Sequence, residues 1–257
     1  MATENGPISD DRRVISADGY RDGRIKGLML DLAAPRAGER LLDIGCRSGE
    51  HLLLFRKKGC DVTGIDSSPL HLDLARQRLG QGAELHEGSA EDLPFSDNEF
   101  DLVTLLTSLE FTGNPGKAVA EAIRVCRGRL FIGVMNRFSL IGVQGKLWDL
   151  FHLPRQEGTR FFHLSSLNAL IRKQLQGVRT QWGSVLFLPW DGYASGAGIE
   201  ERLPVMNNPF GAFFGLSVSV NFSYRTAQQV IEEPVALRTE TGGPLPDVAS
   251  RGWTHGA

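Results

Sequence analysis

A doubly wound α/β fold follows from three features of this 257-residue sequence. Short apolar runs of strand length alternate with amphipathic stretches of helical spacing, the order that lays helices on both faces of a mostly parallel sheet. The first apolar run, Leu41, Leu42 and Ile44, breaks at Gly45 and Gly49 and passes directly into a helical stretch, Glu50 to Lys58. Such a strand, glycine-bearing turn and helix bring backbone N–H groups and a helix N-terminus to one ligand. The next run, Asp61 to Ile65, ends in Asp66, about twenty residues on, where a carboxylate can accept hydrogen bonds from both hydroxyls of a ribose.

In chain order, residues 1–10 are expected to be disordered. Ile25, Leu28, Met29 and Leu32 recur at helical spacing, and Pro35 and Gly38 end that helix. Strand one covers Arg40 to Ile44, and strand two ends at Asp66. Ser67 or Ser68 caps a helix that carries Pro69 in its first turn and stops at Gly80. Ala83 to Glu87 has modest apolar content and predicts a strand near the sheet edge. Leu102 to Leu106, a helix from Gly116 to Cys126, and Arg129 to Val134 continue the alternation. Beyond them come an apolar stretch, Leu140 to Leu153, a helix from near Ser165 to Leu175, and strands at Trp182 to Leu188 and Gly211 to Phe222. The imperfect alternation of Phe213, Leu216, Val218, Val220 and Phe222 predicts a strand accessible on one face. The expected domain spans 11–222, with cap elements near 138–164 and 189–209. A poorly ordered tail, rich in Thr, Glu, Pro and Gly, is expected over 223–257.

Composition narrows the function classes. A formal net charge of −2 gives no general attraction to nucleic acid, and 41% hydrophobic with 23% charged residues is ordinary for a globular domain. No apolar run reaches the length of a membrane span. The polar start lacks the basic-then-apolar layout of a leader, so a cytoplasmic location is expected. Cys46, Cys60 and Cys126 contain no CxxC pair and predict reduced, buried thiols rather than a metal site. His51, early in its helix and without a metal-type neighbour, is expected to be solvated or capping.

The motif from Leu41 to Gly49, Asp66, the loop Gly88-Ser89-Ala90-Glu91-Asp92-Leu93-Pro94-Phe95 and the lead-in Asn98-Glu99-Phe100-Asp101 together resemble the class I S-adenosylmethionine-dependent methyltransferases. The likeness is nearest to the branch with quinone and small-molecule methyltransferases, and it covers Arg40 to Val134. It implies a Rossmann-like seven-stranded sheet, mostly parallel with an antiparallel last strand, under a helical or loop cap. It implies S-adenosyl-L-methionine as cofactor and a small, partly hydrophobic acceptor, and leaves the oligomeric state open. By this resemblance Asp66 and Ser67 hold the ribose. The turn Gly45, Cys46, Arg47 and Gly49 approaches the methionine part, and Asp43 orients the ammonium group directly or through water. Ala90, Glu91 and Asp92 flank adenine, Leu106 and Thr107 border the transfer centre, and Tyr20 helps to cover the cofactor. Glu110 and His163 are the candidate catalytic groups, Glu110 being either a substrate-facing carboxylate or a solvated loop residue.

One departure stands out. The family usually has glycine where this chain has Arg47, whose side chain either lies outward or meets the cofactor carboxylate. That residue motivates an alternative reading as a catalytically inactive cofactor-binding partner. An NAD(P)-dependent oxidoreductase would share the acidic residue after strand two, yet the glycine spacing does not give GxGxxG.

Overall fold

The computed structural model describes residues 17–136, 160–175, 177–185, 205, 209 and 211–220. The expected disordered N-terminus, most of both cap segments and the tail therefore lie outside the described residues. The chain divides into two compact units, Met1–Phe222 and Ser223–Ala257, and every described residue belongs to the first.

The elements run α1 (Ala17–Ala33), β1 (Arg40–Ile44), α2 (Glu50–Lys57), β2 (Asp61–Asp66), α3 (Pro69–Leu79), β3 (Glu84–Glu87), β4 (Phe100–Leu106), a 3-10 turn (Leu109–Phe111), α4 (Pro115–Val125) and β5 (Cys126–Met135). After them come α5 (Leu164–Gln174), β6 (Thr180–Val185) and β7 (Phe213–Ser219). The seven strands form one sheet in the order β3-β2-β1-β4-β5-β7-β6. β1 to β5 pair in parallel, whereas β7 lies antiparallel between β5 and β6.

Successive side chains of a strand point to opposite faces, and here both faces are covered. Leu42 and Ile44 of β1, Val103 and Leu105 of β4, and Leu130, Ile132 and Val134 of β5 meet α4 and α5 through Ala118, Val119, Ala122, Leu167 and Ile171. The intervening Leu41, Leu102, Leu106 and Phe131 meet α1, α2 and α3 through Met29, Leu32, Leu52, Phe55 and Ala75. This two-sided burial explains why the sequence reads as continuous apolar runs rather than as alternation.

β7 departs from expectation. Phe213 to Val218 are all buried, because helices cover both faces: Phe214, Leu216 and Val218 join the core with α4 and α5, and Phe213 joins the core with α1. β3 occupies the edge as predicted. Ser68 caps α3, accepting from the His71 N–H at 3.4 Å, and Asn114 caps α4, accepting from the Lys117 N–H at 3.1 Å. Cys46, Cys60 and Cys126 are buried free thiols; burial pushes Cys126 up to about 12 and raises Cys46 as well, so neither is a nucleophile near neutrality.

Candidate active site

The carboxyl ends of β1, β2 and β4 are adjacent, and the turns leaving them enclose a cleft of about 760 Å³, within the range of a small-molecule site. The turn after β1 sets its floor. Gly45, Arg47 and Gly49 all have positive φ, at 78°, 48° and 73°. Gly45 and Cys46 both donate their N–H groups to the Ile65 carbonyl, at 2.7 and 3.1 Å, which pins the turn to β2. Glycine is required at both ends for packing as well as for φ. A Cβ on Gly45 would lie 2.6 Å from Ser108 Cβ, and one on Gly49 would lie 2.8 Å from Leu79 Cδ1. Arg47 holds a left-handed conformation without that excuse, a strain of roughly 1–3 kcal/mol that its surroundings must impose.

Asp66, 7% exposed, lies on the cleft wall at the end of β2. Its Oδ2 accepts from the Arg47 N–H at 2.9 Å, and its Oδ1 accepts from the Ser68 N–H at 2.9 Å, with His71 Nδ1 at 3.1 Å. A carboxylate offers about four lone-pair sites, so these contacts leave acceptor capacity mainly on Oδ2. Asp66 thus organises the turn that it faces as well as the space in front of it.

Asp43, 1% exposed, lies behind the turn and accepts from Thr104 Oγ1 at 2.7 Å through Oδ1. Its Oδ2 is buried and has no partner among the described residues. Burial raises the Asp43 carboxyl above its ordinary range, with His51 acting against that shift. His51 is half-buried, and burial lowers its own pKa. A buried acceptor in want of a donor, a cleft-facing carboxylate and a glycine-bearing turn together fit the nucleoside and amino-acid ends of S-adenosylmethionine.

On the far wall, Ser89, Ala90 and Glu91 line the cleft. Glu91 Oε1 accepts from the Asn114 N–H at 2.8 Å, tying this loop to the start of α4. Arg124 of α4 holds the rest of the loop, donating to the Leu93 and Phe95 carbonyls at 3.0 and 2.8 Å. It also pairs with Glu121, whose Oε2 accepts from the Leu93 N–H at 3.0 Å.

Across the mouth, the Arg47 side chain donates from Nη2 to the Thr107 carbonyl at 3.2 Å, and its guanidinium lies 5.3 Å from the centre of the Phe111 ring. Thr107 is itself left-handed at φ 49°, and Phe111 is 57% exposed.

Glu110 is neither a solvated loop residue nor a lining group. At 1% exposure it lies under the rim, its Oε1 accepting from the Met135 N–H at 2.8 Å while its Oε2 is buried and has no partner among the described residues. Burial pushes its carboxyl up to about 7, against the pull of the Met135 amide and the charge of Arg47.

Of the sequence-predicted site residues, Gly45, Arg47, Asp66, Ser67, Ala90, Glu91 and Thr107 line the cleft. Cys46 and Leu106 are buried at 2% and 3%, and Gly49 packs against α3; they support the walls without lining them. Asp92 bridges to Ser89 and stands outside the lining. His163 is the N-cap of α5, its N–H donating to Ser166 Oγ at 3.1 Å. Tyr20 falls in the first turns of α1, with its side chain outside the described residues. Sequence reasoning missed His71, Ser108, Phe111, Thr112 and Gly113 as lining residues. Their position just past the ends of β2 and β4 was the available signal. Among the described residues, no group of three or more His, Cys, Asp or Glu side chains could hold a metal, and no helix is long and apolar enough to cross a membrane.

Residues 42–132 match the methyltransferase domain family. The chain is 34% identical over 217 residues to a ubiquinone biosynthesis O-methyltransferase of Dechloromonas aromatica, covering 78% of this chain and 83% of that protein. A second protein of that name, from Aromatoleum aromaticum, is 37% identical over 135 residues, covering 49% of this chain and 58% of that protein. A solved S-adenosylmethionine-dependent methyltransferase of Thermotoga maritima, described as a possible histamine N-methyltransferase, shares the fold. Its TM-score is 0.58 at 23% identity, over 79% of this chain and 95% of that one.

Proposed function

The chain belongs to the class I S-adenosylmethionine-dependent methyltransferases, and from that premise we propose that its acceptor is a hydroxyl oxygen on a small, partly hydrophobic aromatic molecule. The observation carrying this reading is the exposed Phe111 ring at the cleft mouth, in the same lining as Thr107. An aromatic acceptor packs on such a ring and presents its hydroxyl to the cleft. The name of the Dechloromonas relative, an O-methyltransferase of ubiquinone biosynthesis, supports the same acceptor chemistry.

S-adenosylmethionine, when bound, supplies a methyl group already activated on a sulfonium. The chain's own residues position and protect. Asp66 accepts from the ribose hydroxyls with its remaining Oδ2 capacity, and Ser67 borders the same sugar. The bare Oδ2 of Asp43 takes the ammonium directly or through water. Ala90 and Glu91 flank the adenine, and Thr107 borders the transfer centre. Exposed Phe111 gives an aromatic acceptor a ring to pack on at the mouth. Orientation and exclusion of water at such a site can supply roughly 7–11 kcal/mol of the barrier. The acceptor proton leaves to solvent at the open mouth as the new carbon–oxygen bond forms and the carbon–sulfur bond breaks.

The test uses the full chain with methyl-labelled S-adenosylmethionine and matched catechol, aniline and thiophenol acceptors. Label is expected on the catechol oxygen. Transfer to the amine or thiol alone would replace this reading with another acceptor class.

A further inference from the structure

We propose that Arg47 sets acceptor specificity, its guanidinium reading an acidic substituent on the aromatic ring of the acceptor. This rests on the acceptor reading above and narrows it from phenols in general to those that carry a carboxylate. Arg47 belongs to the turn after β1, yet its side chain crosses the mouth to the rim after β4. There Nη2 donates to the Thr107 carbonyl at 3.2 Å, and the guanidinium lies 5.3 Å from the centre of the Phe111 ring. In that reading Thr107 borders the transfer centre and Phe111 carries the acceptor ring. The charge therefore stands beside both groups that the acceptor meets.

Charge and donor count fit an anion. Arg47 is the one Lys or Arg among the described residues lining the cleft. Acids surround it, with Asp66 and Glu91 on the walls and Asp43 and Glu110 buried behind them, and without a cation they would repel an anionic ligand. Arg47 forms no ion pair among the described residues, and Asp66 lies against His71 instead. Its guanidinium has one hydrogen bond, to a neutral carbonyl, so most of a five-donor fork shaped for a carboxylate stays open. Phe111 is still 57% exposed with the guanidinium beside it, which leaves room for an acceptor ring to share that surface and bring its substituent to the fork. The backbone holds this arrangement in place. Arg47 is left-handed at φ 48°, held by its N–H bond to Asp66 Oδ2 at 2.9 Å, and Thr107 is left-handed at φ 49°. Strain kept at two non-glycine positions joined by one side chain marks a place where position is imposed.

The experiment measures kcat/KM on the full chain, with methyl-labelled S-adenosylmethionine, for 3,4-dihydroxybenzoate and 3,4-dihydroxybenzamide, acceptors of one shape with and without the charge. The native protein should prefer the acid by roughly tenfold or more, mainly through KM, as expected of one charge-assisted contact. That preference should shrink as salt rises, because the contact is exposed. Arg47→Gln, which keeps the backbone strain, and Arg47→Gly, which relieves it, should each bring the acid-to-amide ratio down to about one or below. Arg47→Lys, keeping charge without the fork, should retain part of the preference. A loss shared by both acceptors, from cofactor binding or folding, cancels in this ratio. A native ratio near one, or a native preference that survives Arg47→Gln, would overturn the proposal. If the native protein methylated neither acceptor on oxygen, the acceptor reading itself would fall, a result distinct from methylating both with a ratio indifferent to Arg47.

Discussion

Asp66 and Glu110 stand at two parts of one sheet rim, after β2 and after β4, in opposite surroundings. Asp66 is wrapped by two backbone N–H groups and a histidine, all supplied within twenty residues of it. Glu110 accepts from the Met135 N–H on the next strand and keeps a buried oxygen without a partner among the described residues. The first arrangement fixes a charge in place on the cleft wall. The second leaves a carboxyl poised between its protonation states. One rim is thus built from local, well-satisfied contacts, whereas the other keeps one group under-satisfied by burial.

The contrast depends on the two regions being locked together where Gly45 meets Ser108. Gly45→Ala would place a Cβ at 2.6 Å from Ser108 Cβ at φ 78°. A loss of about 2–5 kcal/mol in folding stability is expected from left-handed strain and overpacking together, read by denaturant unfolding. Unchanged stability would show that the two rims move independently.

Next in size is the pH dependence carried by Glu110. Its carboxyl ionises near 4.5 in the unfolded chain and near 7 in the folded one. Between those values the folded state binds the extra proton, so stability falls as pH rises through the window. The full shift corresponds to roughly 3 kcal/mol. Glu110→Gln keeps an acceptor for the Met135 N–H and should flatten that fall, while cofactor affinity holds. An identical pH profile for both proteins would remove Glu110 from its role.

Asp66→Ala sharpens the other side of the comparison. Loss of the charged acceptor should weaken S-adenosylhomocysteine binding by about 1–3 kcal/mol, measured by calorimetry at a pH where the variant is folded. An unchanged dissociation constant would mean that the ribose is held elsewhere.

The cofactor region was legible because its signals are local. Leu41 to Gly49 and Asp61 to Asp66 carry strand, turn and acid in unbroken order, and their strand limits match the structure. The rim after β4 was not, because its contacts join distant stretches. Nothing in the neighbourhood of Glu110 forecasts an amide from Met135, and nothing near Arg124 forecasts its hold on the Leu93 and Phe95 carbonyls. β7 misled for the same reason: its own pattern reads as one-faced, and only the distant helices packed on each side of the sheet bury it twice.

By itself the sequence determined the alternation of strands and helices, the left-handed glycine turn and the acid that closes β2. Each depends on periodicity or on conformational freedom confined to neighbouring residues. Strand order alone decided that Glu110 would lose its water and that Arg47 would span to Thr107. Desolvation and cross-strand contact are properties of what packs nearby in space, and chain spacing does not encode them.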